Sequence, residues 1–174
     1  MIRAEAILPT TELNTRAMWK ALDAGVLEVA EGIKKDLERP TRTWDNKPTF
    51  KIKRKRSANK IVFIIGTDST VGGVNIFGLV DAGSPPHDIY PKNASRLAYK
   101  SSFTPKTTPG KLTSRAGGKK GATVYRDWVQ HPGFEGRDFI KTVAEKWRKP
   151  SKYKRRMNRA MKDAAMVSGF MYWR

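Results

Sequence analysis

Thr49-Phe50-Lys51-Ile52-Lys53-Arg54-Lys55, followed after a short break by Lys60-Ile61-Val62-Phe63-Ile64-Ile65-Gly66-Thr67, sets the fold class of this chain. In the first run Phe50 and Ile52 alternate with Lys51, Lys53 and Arg54, the period-two pattern of a half-exposed strand. The second run is continuously apolar and rich in β-branched residues, which suits a central strand. Ser57-Ala58-Asn59 between them is turn chemistry, so the two runs are expected to pair as a hairpin.

Helical periodicity flanks this hairpin on both sides. Over residues 13–37, Met18, Leu22, Val26, Val29, Ile33 and Leu37 recur at spacings of three and four and fall on one stripe. Glu28, Glu31, Lys34, Lys35 and Glu38 fall mostly on the other side. The stripe suits a helix that covers the core or one at a subunit interface. Gly25 and Gly32 each weaken such a helix by about 1 kcal/mol relative to Ala, unless they admit the close approach of a packed element. Pro40 ends it, and a connector containing Trp44 leads to the hairpin.

Towards the C-terminus, residues 136–147 read as a helix burying Phe139, Ile140, Val143 and Trp147, and Pro150 breaks it. Ser151 can cap a last helix to about Val167, with Tyr153, Met157, Ala160, Met161 and Ala164 on its apolar side. Helix, strands and helices in that order give an α+β fold. An antiparallel β-sheet is expected, with the long N-terminal helix and the C-terminal helices packed on it. At 174 residues the chain reads as a single domain, 1–174, with a long loop at 102–122 and a basic helical extension at 148–174.

The middle of the chain is less regular. Residues 74–80 suit a strand or a short helical turn equally. Residues 96–101 (Leu97, Tyr99) and 123–129 (Val124, Trp128) are strand candidates. The loop at 102–122 carries two prolines, four glycines and five Lys or Arg, with only Phe103 and Leu112 as large apolar residues. A loop of that length is usually functional or disordered.

Apolar residues make up 39% of the chain and aromatics 10%, enough for a core. The absence of cysteine excludes disulfides and thiolate metal sites. No apolar run approaches the roughly 20 residues of a membrane span, and the first residues lack a signal-peptide pattern. Synthesis and use in the cytoplasm are expected. The net charge of +19 is unevenly placed: residues 1–40 carry six basic and seven acidic residues, and the remainder carries the whole surplus. Residues 146–162 hold nine Lys or Arg and no acid. Such a surplus calls for a polyanionic neighbour, whether nucleic acid, anionic membrane or acidic protein.

No Gly-x-Ser-x-Gly elbow, phosphate loop or paired metal-ligand spacing is present, so no catalytic, cofactor-binding or metal-ligating residue is assigned. The two histidines sit at proline-stiffened turns, Ser84-Pro85-Pro86-His87 and His131-Pro132-Gly133. His87 suits metal or acid–base work with His131 and Asp88, or a turn histidine whose ring bonds fix the loop. Candidate interface residues are His87, Lys106, Lys111, Arg115, His131, Arg137 and the tail aromatics Phe170 and Trp173. The tail could fill a groove on its own core or on a neighbour. Candidate polyanion contacts are Lys51, Lys53 and Arg54 on the strand, and Lys152, Arg155, Arg159 and Lys162 on the last helix. These suit phosphate contact, a solvated face or an acidic protein partner.

Several short motifs occur in a telling order: Gly83 with Pro86-His87-Asp88-Ile89-Tyr90-Pro91-Lys92, Leu97-Ala98-Tyr99, Thr104-Pro105-Lys106-Thr107-Thr108-Pro109-Gly110, Val129 with His131-Pro132-Gly133, and Arg137-Asp138-Phe139. Thr43-Trp44-Asp45-Asn46-Lys47-Pro48 and the first helix fit the same layout. In this order the chain resembles the neck and tail-completion proteins of tailed phages (head–tail connector and tail-terminator-like proteins), over about three quarters of its length. The resemblance implies a non-enzymatic virion subunit in a homo-oligomeric ring, often sixfold, that joins head to tail and lets DNA pass. Its implied partners are copies of itself, neighbouring head-closure or connector proteins, tail-tube or tail-terminator proteins and, transiently, phage DNA, with no membrane. The loop at 102–122 would reach a neighbouring subunit or ring. The implied location is the head–tail junction of the virion, after assembly in the host cytoplasm. The basic extension after Trp147 is less typical of the family. The competing readings are a sequence-independent nucleic-acid-binding protein and, third, a hydrolase using His87 and His131.

Overall fold

A computed structural model describes residues 14–57 and 60–169. The expected hairpin turn at Ala58 and Asn59, and the tail from Phe170 through Trp173, lie outside the described residues. The fold is α+β: a long N-terminal helix, antiparallel strand pairs and two C-terminal helices.

Helix α1 spans Thr15–Glu38 and is capped by Asn14, whose Oδ1 accepts the Ala17 N–H at 3.0 Å. Its stripe lies against the C-terminal helices, α3 (Phe139–Arg148) and α4 (Pro150–Val167), and against the hairpin formed by β1 (Phe50–Ser57) and β2 (Lys60–Thr67). Both helix glycines mark close approaches. A Cβ on Gly32 would stand 2.3 Å from the Trp147 ring, which occupies that space.

The hairpin register places Phe50 opposite Thr67 and Ser57 opposite Lys60. Strand parity then sends Phe50, Ile52, Arg54 and Arg56 to one face and Lys51, Lys53 and Lys55 to the other. The first face meets α1: Arg54 pairs with Asp23 at 2.8 Å, and the Arg56 guanidinium lies 5.7 Å from the Trp19 ring centroid. β2, read from its apolar run as a central strand, pairs only with β1 among the described residues. Ile61, Phe63 and Ile65 lie on the face towards α1, while Val62 and Ile64 share the other face with Lys55 and Lys53.

The core is small and aromatic. Leu37, Phe50, Phe77, Phe139 and Val143 form its buried cluster, with Trp44, Ile65 and Trp147 packed around it. The Phe50 and Phe77 rings meet edge to face at 4.9 Å, and Phe77 stacks on Phe139 at 5.8 Å. Phe77 comes from α2 (Ile76–Ala82), which settles the undecided segment as a helical turn.

Among the described residues, four antiparallel ladders of two strands each make up the β component. Besides β1–β2, short strands β3 (Gly83–Ser84) and β8 (Phe134–Glu135) pair, as do β4 (His87–Ile89) and β7 (Val129–His131). The longest of the later ladders joins β5 (Leu97–Thr104) to β6 (Gly118–Arg126). The expected loop at 102–122 is therefore shorter: its ends are strand, and the connection is 105–117, closed by a bridge between Thr107 and Ser114. The lysines at 119 and 120 hid this strand, because Gly118-Lys119-Lys120-Gly121 has no apolar alternation.

Three further local expectations change. Ile140 is 56% exposed, because α3 turns only Phe139 and Val143 fully inward. Met161 is likewise exposed, and α4 buries Ala160 and Ala164. The last helix starts at Pro150 without a side-chain cap, so Ser151 lies inside its first turn.

Candidate functional site

The two histidine turns, more than forty residues apart, form one corner. β4 and β7 place His87 opposite His131, and their rings stack with centroids 5.1 Å apart. Each ring also bonds its own turn. His131 Nδ1 accepts the Gly133 N–H at 3.0 Å, which puts the neutral-ring proton on Nε2. His87 Nδ1 lies 2.9 Å from the Pro85 carbonyl oxygen, a position only an N–H can satisfy. Gly133 has φ +76°, and a Cβ there would stand 2.4 Å from the Ser84 carbonyl oxygen. Only glycine fits the corner where the two ladders cross.

The Arg137-Asp138-Phe139 motif anchors this corner to the core. Arg137 N–H donates to the Val80 carbonyl and Asp138 N–H to the Asp81 carbonyl, at 3.1 and 3.2 Å. Asp138 takes the N-cap position of α3 in the left-handed conformation (φ 52°). Its side chain makes no cap bond; Asp81 Oδ1 accepts the Ile140 N–H at 3.2 Å in its place.

A groove of about 1090 Å³ opens beside the corner. Trp44, Phe103, Pro132 and Phe134 supply apolar walls, and Lys106, Lys119, Arg137 and Asp45 bring charge. Several segments singled out in the sequence line this groove, namely the Trp44 connector, the Pro105-Lys106 loop, the His131 turn and Arg137, whereas residues 86–92 and 97–99 do not.

Lys106 is held rather than free. Its Nζ donates to the Thr43 carbonyl and to Asp45 Oδ1, both at 2.9 Å. Gly110 N–H donates to the Arg137 carbonyl at 3.1 Å, and Ser114 Oγ to the Arg39 carbonyl at 3.4 Å. Arg115 Nε donates to the Pro105 carbonyl at 2.8 Å, while Lys111 is exposed at the tip of a turn. The connection 105–117 is thus tied down on its own subunit.

The polyanion candidates divide. Lys51 pairs with Asp68 at 3.0 Å, and Lys51 holds the Asp68 carboxyl below its ordinary value through a hydrogen bond and its charge. Arg54 faces α1, as above. Arg159 bonds Glu28 of α1, and Arg156 reaches the same carboxylate at 3.1 Å. The Arg159 hydrogen bond is the largest influence on Glu28, whose pKa lies below the usual value. Lys53, Lys152 and Arg155 are exposed on the strand and helix surfaces, and Lys162 lies about two turns beyond Arg155 along α4.

Beneath α3, Asp36 is 4% exposed and collects three donors: Lys146 Nζ at 2.6 Å, Trp147 Nε1 at 2.8 Å and Arg39 at 3.2 Å. Burial pushes this carboxyl up. The bonds from Lys146 and Trp147 and the nearby cationic charges outweigh it, so its pKa is lowered. Sequence reading missed these acceptors, since the partners of Asp23, Glu28 and Asp36 lie on other elements. The strand parity that puts Arg54 with Phe50 and Ile52 was the one available signal.

Among the described residues, no group of three or more His, Asp or Glu stands close enough to hold a metal ion, and no helix is long and apolar enough to cross a membrane. Comparison of the chain with protein-family models, curated proteins and solved structures gave no match.

Proposed function

We propose that this chain is a structural virion subunit of a tailed phage, one copy of an oligomeric ring at the head–tail junction that joins head to tail and lets DNA pass. The observation that carries the self-association is the outer edge of β2. Ile61-Val62-Phe63-Ile64-Ile65 pairs on one side only among the described residues, and Ile64 is 43% exposed. An apolar, β-branched edge of this kind accepts a strand from another chain, and monomeric proteins usually cover or charge it.

The balance of apolar surface supports the same reading. Among the described residues only eight hydrophobic side chains and Pro40 are buried, while fifteen large hydrophobic ones are exposed. That balance favours partners over a solitary existence. The phage part of the proposal rests on the motif order, supported by the meeting of the Trp44, Pro105-Lys106, His131 and Arg137 segments at one groove, beside which His87 stacks on His131. The groove takes an adjoining ring protein of the connector or tail-tube kind in this reading, and the virion is the location.

Native mass spectrometry of the purified chain tests the assembly. A closed oligomer is expected for the wild type, and folded monomers for Ile64→Lys, which places a charge on the open edge. A wild-type chain that stays monomeric at all concentrations, together with normal head–tail joining in particles made without it, overturns the proposal.

A further inference from the structure

The β5–β6 ribbon has a charge pattern that the assembly role does not use. Between residues 92 and 126 there are nine Lys or Arg and no Asp or Glu. Most of the ribbon is exposed, and neither strand has a second neighbour among the described residues. It is nevertheless held at both ends. Lys106, Gly110 and Ser114 tie the connecting segment to the body. At the other end Arg96 pairs with Asp127 at 2.9 Å and Tyr90 stacks on Trp128 at 6.3 Å.

The register separates the two faces. Leu97, Tyr99, Phe103 and Val124 share one, and Phe103 lines the groove. Ala98, Lys100, Ser102, Thr123 and Tyr125 share the other. A bulge lies between Lys100 and Ser102 in the pairing, where β6 carries one extra residue. Gly121 sits in it with φ +82°, and a Cβ there would stand 2.2 Å from Ser101 Oγ. Lys120 and Thr123 are three apart and would otherwise face opposite ways. The bulge rephases β6 and brings Lys120 onto the face of Lys100, opposite Ser102.

We propose that this outward face, Lys100 and Lys120 with the hydroxyls of Ser102, Thr123 and Tyr125, binds the phosphodiester backbone of duplex DNA. Lysines, Ser or Thr hydroxyls and tyrosine are side chains that contact phosphate and sugar without reading sequence. A two-stranded ribbon also fits a major groove about 12 Å wide. Both cations on this face are lysines, which act on phosphate as point charges. A carboxylate surface is matched best by the planar fork of arginine. Of the strand and last-helix cations, Lys51, Arg54, Arg156 and Arg159 are paired within the chain, while Lys53, Lys152 and Arg155 stay exposed, the last two serving as the comparison in the binding test. This inference does not depend on ring formation.

The test is fluorescence anisotropy of the full chain with a labelled mixed-sequence duplex of about 20 base pairs, over salt from about 50 to about 200 mM. Lys100→Ala/Lys120→Ala is expected to weaken binding about tenfold and to lower the slope of log K against log salt by about 1.8, the value for two phosphates. Lys152→Ala/Arg155→Ala on α4 is expected to change binding less than about twofold. Thermal melting confirms that both variants are folded. A ribbon variant that binds like wild type, a loss confined to the α4 variant, or no duplex binding at the lowest salt overturns the proposal. So does displacement of the duplex by poly-glutamate at equal charge, which would assign the face to an acidic protein.

Discussion

Gly25 of α1 and Ala160 of α4 are in such close contact that a Cβ built on the glycine would stand 2.2 Å from the alanine methyl carbon. The helix glycine that costs about 1 kcal/mol in propensity is the point at which the two longest helices cross. Gly25→Val should therefore destabilise the protein by about 1–3 kcal/mol through overpacking. Thermal melting would read this as a fall of several degrees. Adding Ala160→Gly should recover at least about 1 kcal/mol beyond the sum of the single effects. Strict additivity would show that the crossing is not the cause.

Asp36 controls acid stability. Its pKa is lowered in the folded chain, so its contribution is complete above the unfolded-state value of about 3.9 and is lost as pH falls through the lowered native value. Asp36→Asn should cost about 1–3 kcal/mol at neutral pH, since the amide carries no charge and keeps only one of the two oxygens that accept from Lys146, Trp147 and Arg39. In urea titrations the gap between wild type and variant should narrow below about pH 4. A gap that stays constant to strongly acid pH would remove Asp36 from this role.

The histidine corner depends on close backbone approach more than on turn conformation. Gly110 (φ +66°) has open space around its absent Cβ, whereas Gly133 (φ +76°) is hemmed in by Ser84 and Pro85. Gly110→Ala should cost about 1 kcal/mol of backbone strain. Gly133→Ala should cost about 1–3 kcal/mol more, with faster amide exchange in β3, β4, β7 and β8. Equal costs at the two positions would refute the close-approach argument.

Lys106 anchors the connection 105–117. Its side chain is 18% exposed and donates both to the Thr43 carbonyl and to Asp45, whose side chain is 92% exposed. Lys106→Met should lose about 1.5–3 kcal/mol of local stability. Hydrogen exchange over 105–117 is the measurement, and protection should fall by tenfold or more there while α1 and α4 are unchanged. Undiminished protection would mean that Leu112 and the backbone bonds suffice.

Much of the fold was legible locally. The three-and-four spacing from Met18 to Leu37, the alternation at Phe50 and Ile52, and the breaks at Pro40 and Pro150 were visible because helix and strand periods are properties of neighbouring residues. β6 was cut short because its lysines and glycines carry no period. The candidate site was legible as residues but not as an arrangement: His87 and His131 were named as turn residues, while their stacking across a ladder is a fact of register.

By itself the sequence determined the α+β class, the positions of the long helices, the hairpin and the cationic surplus, all of which follow from composition and short-range periodicity. Only the tertiary structure decided which charges are consumed and which remain outward. Asp36 meets Trp147 across 111 residues and Glu28 meets Arg159 across 131. Such pairings, like the rephasing of Lys120 by the bulge at Gly121, depend on which surfaces face each other once the chain has closed, and no local pattern encodes that distance.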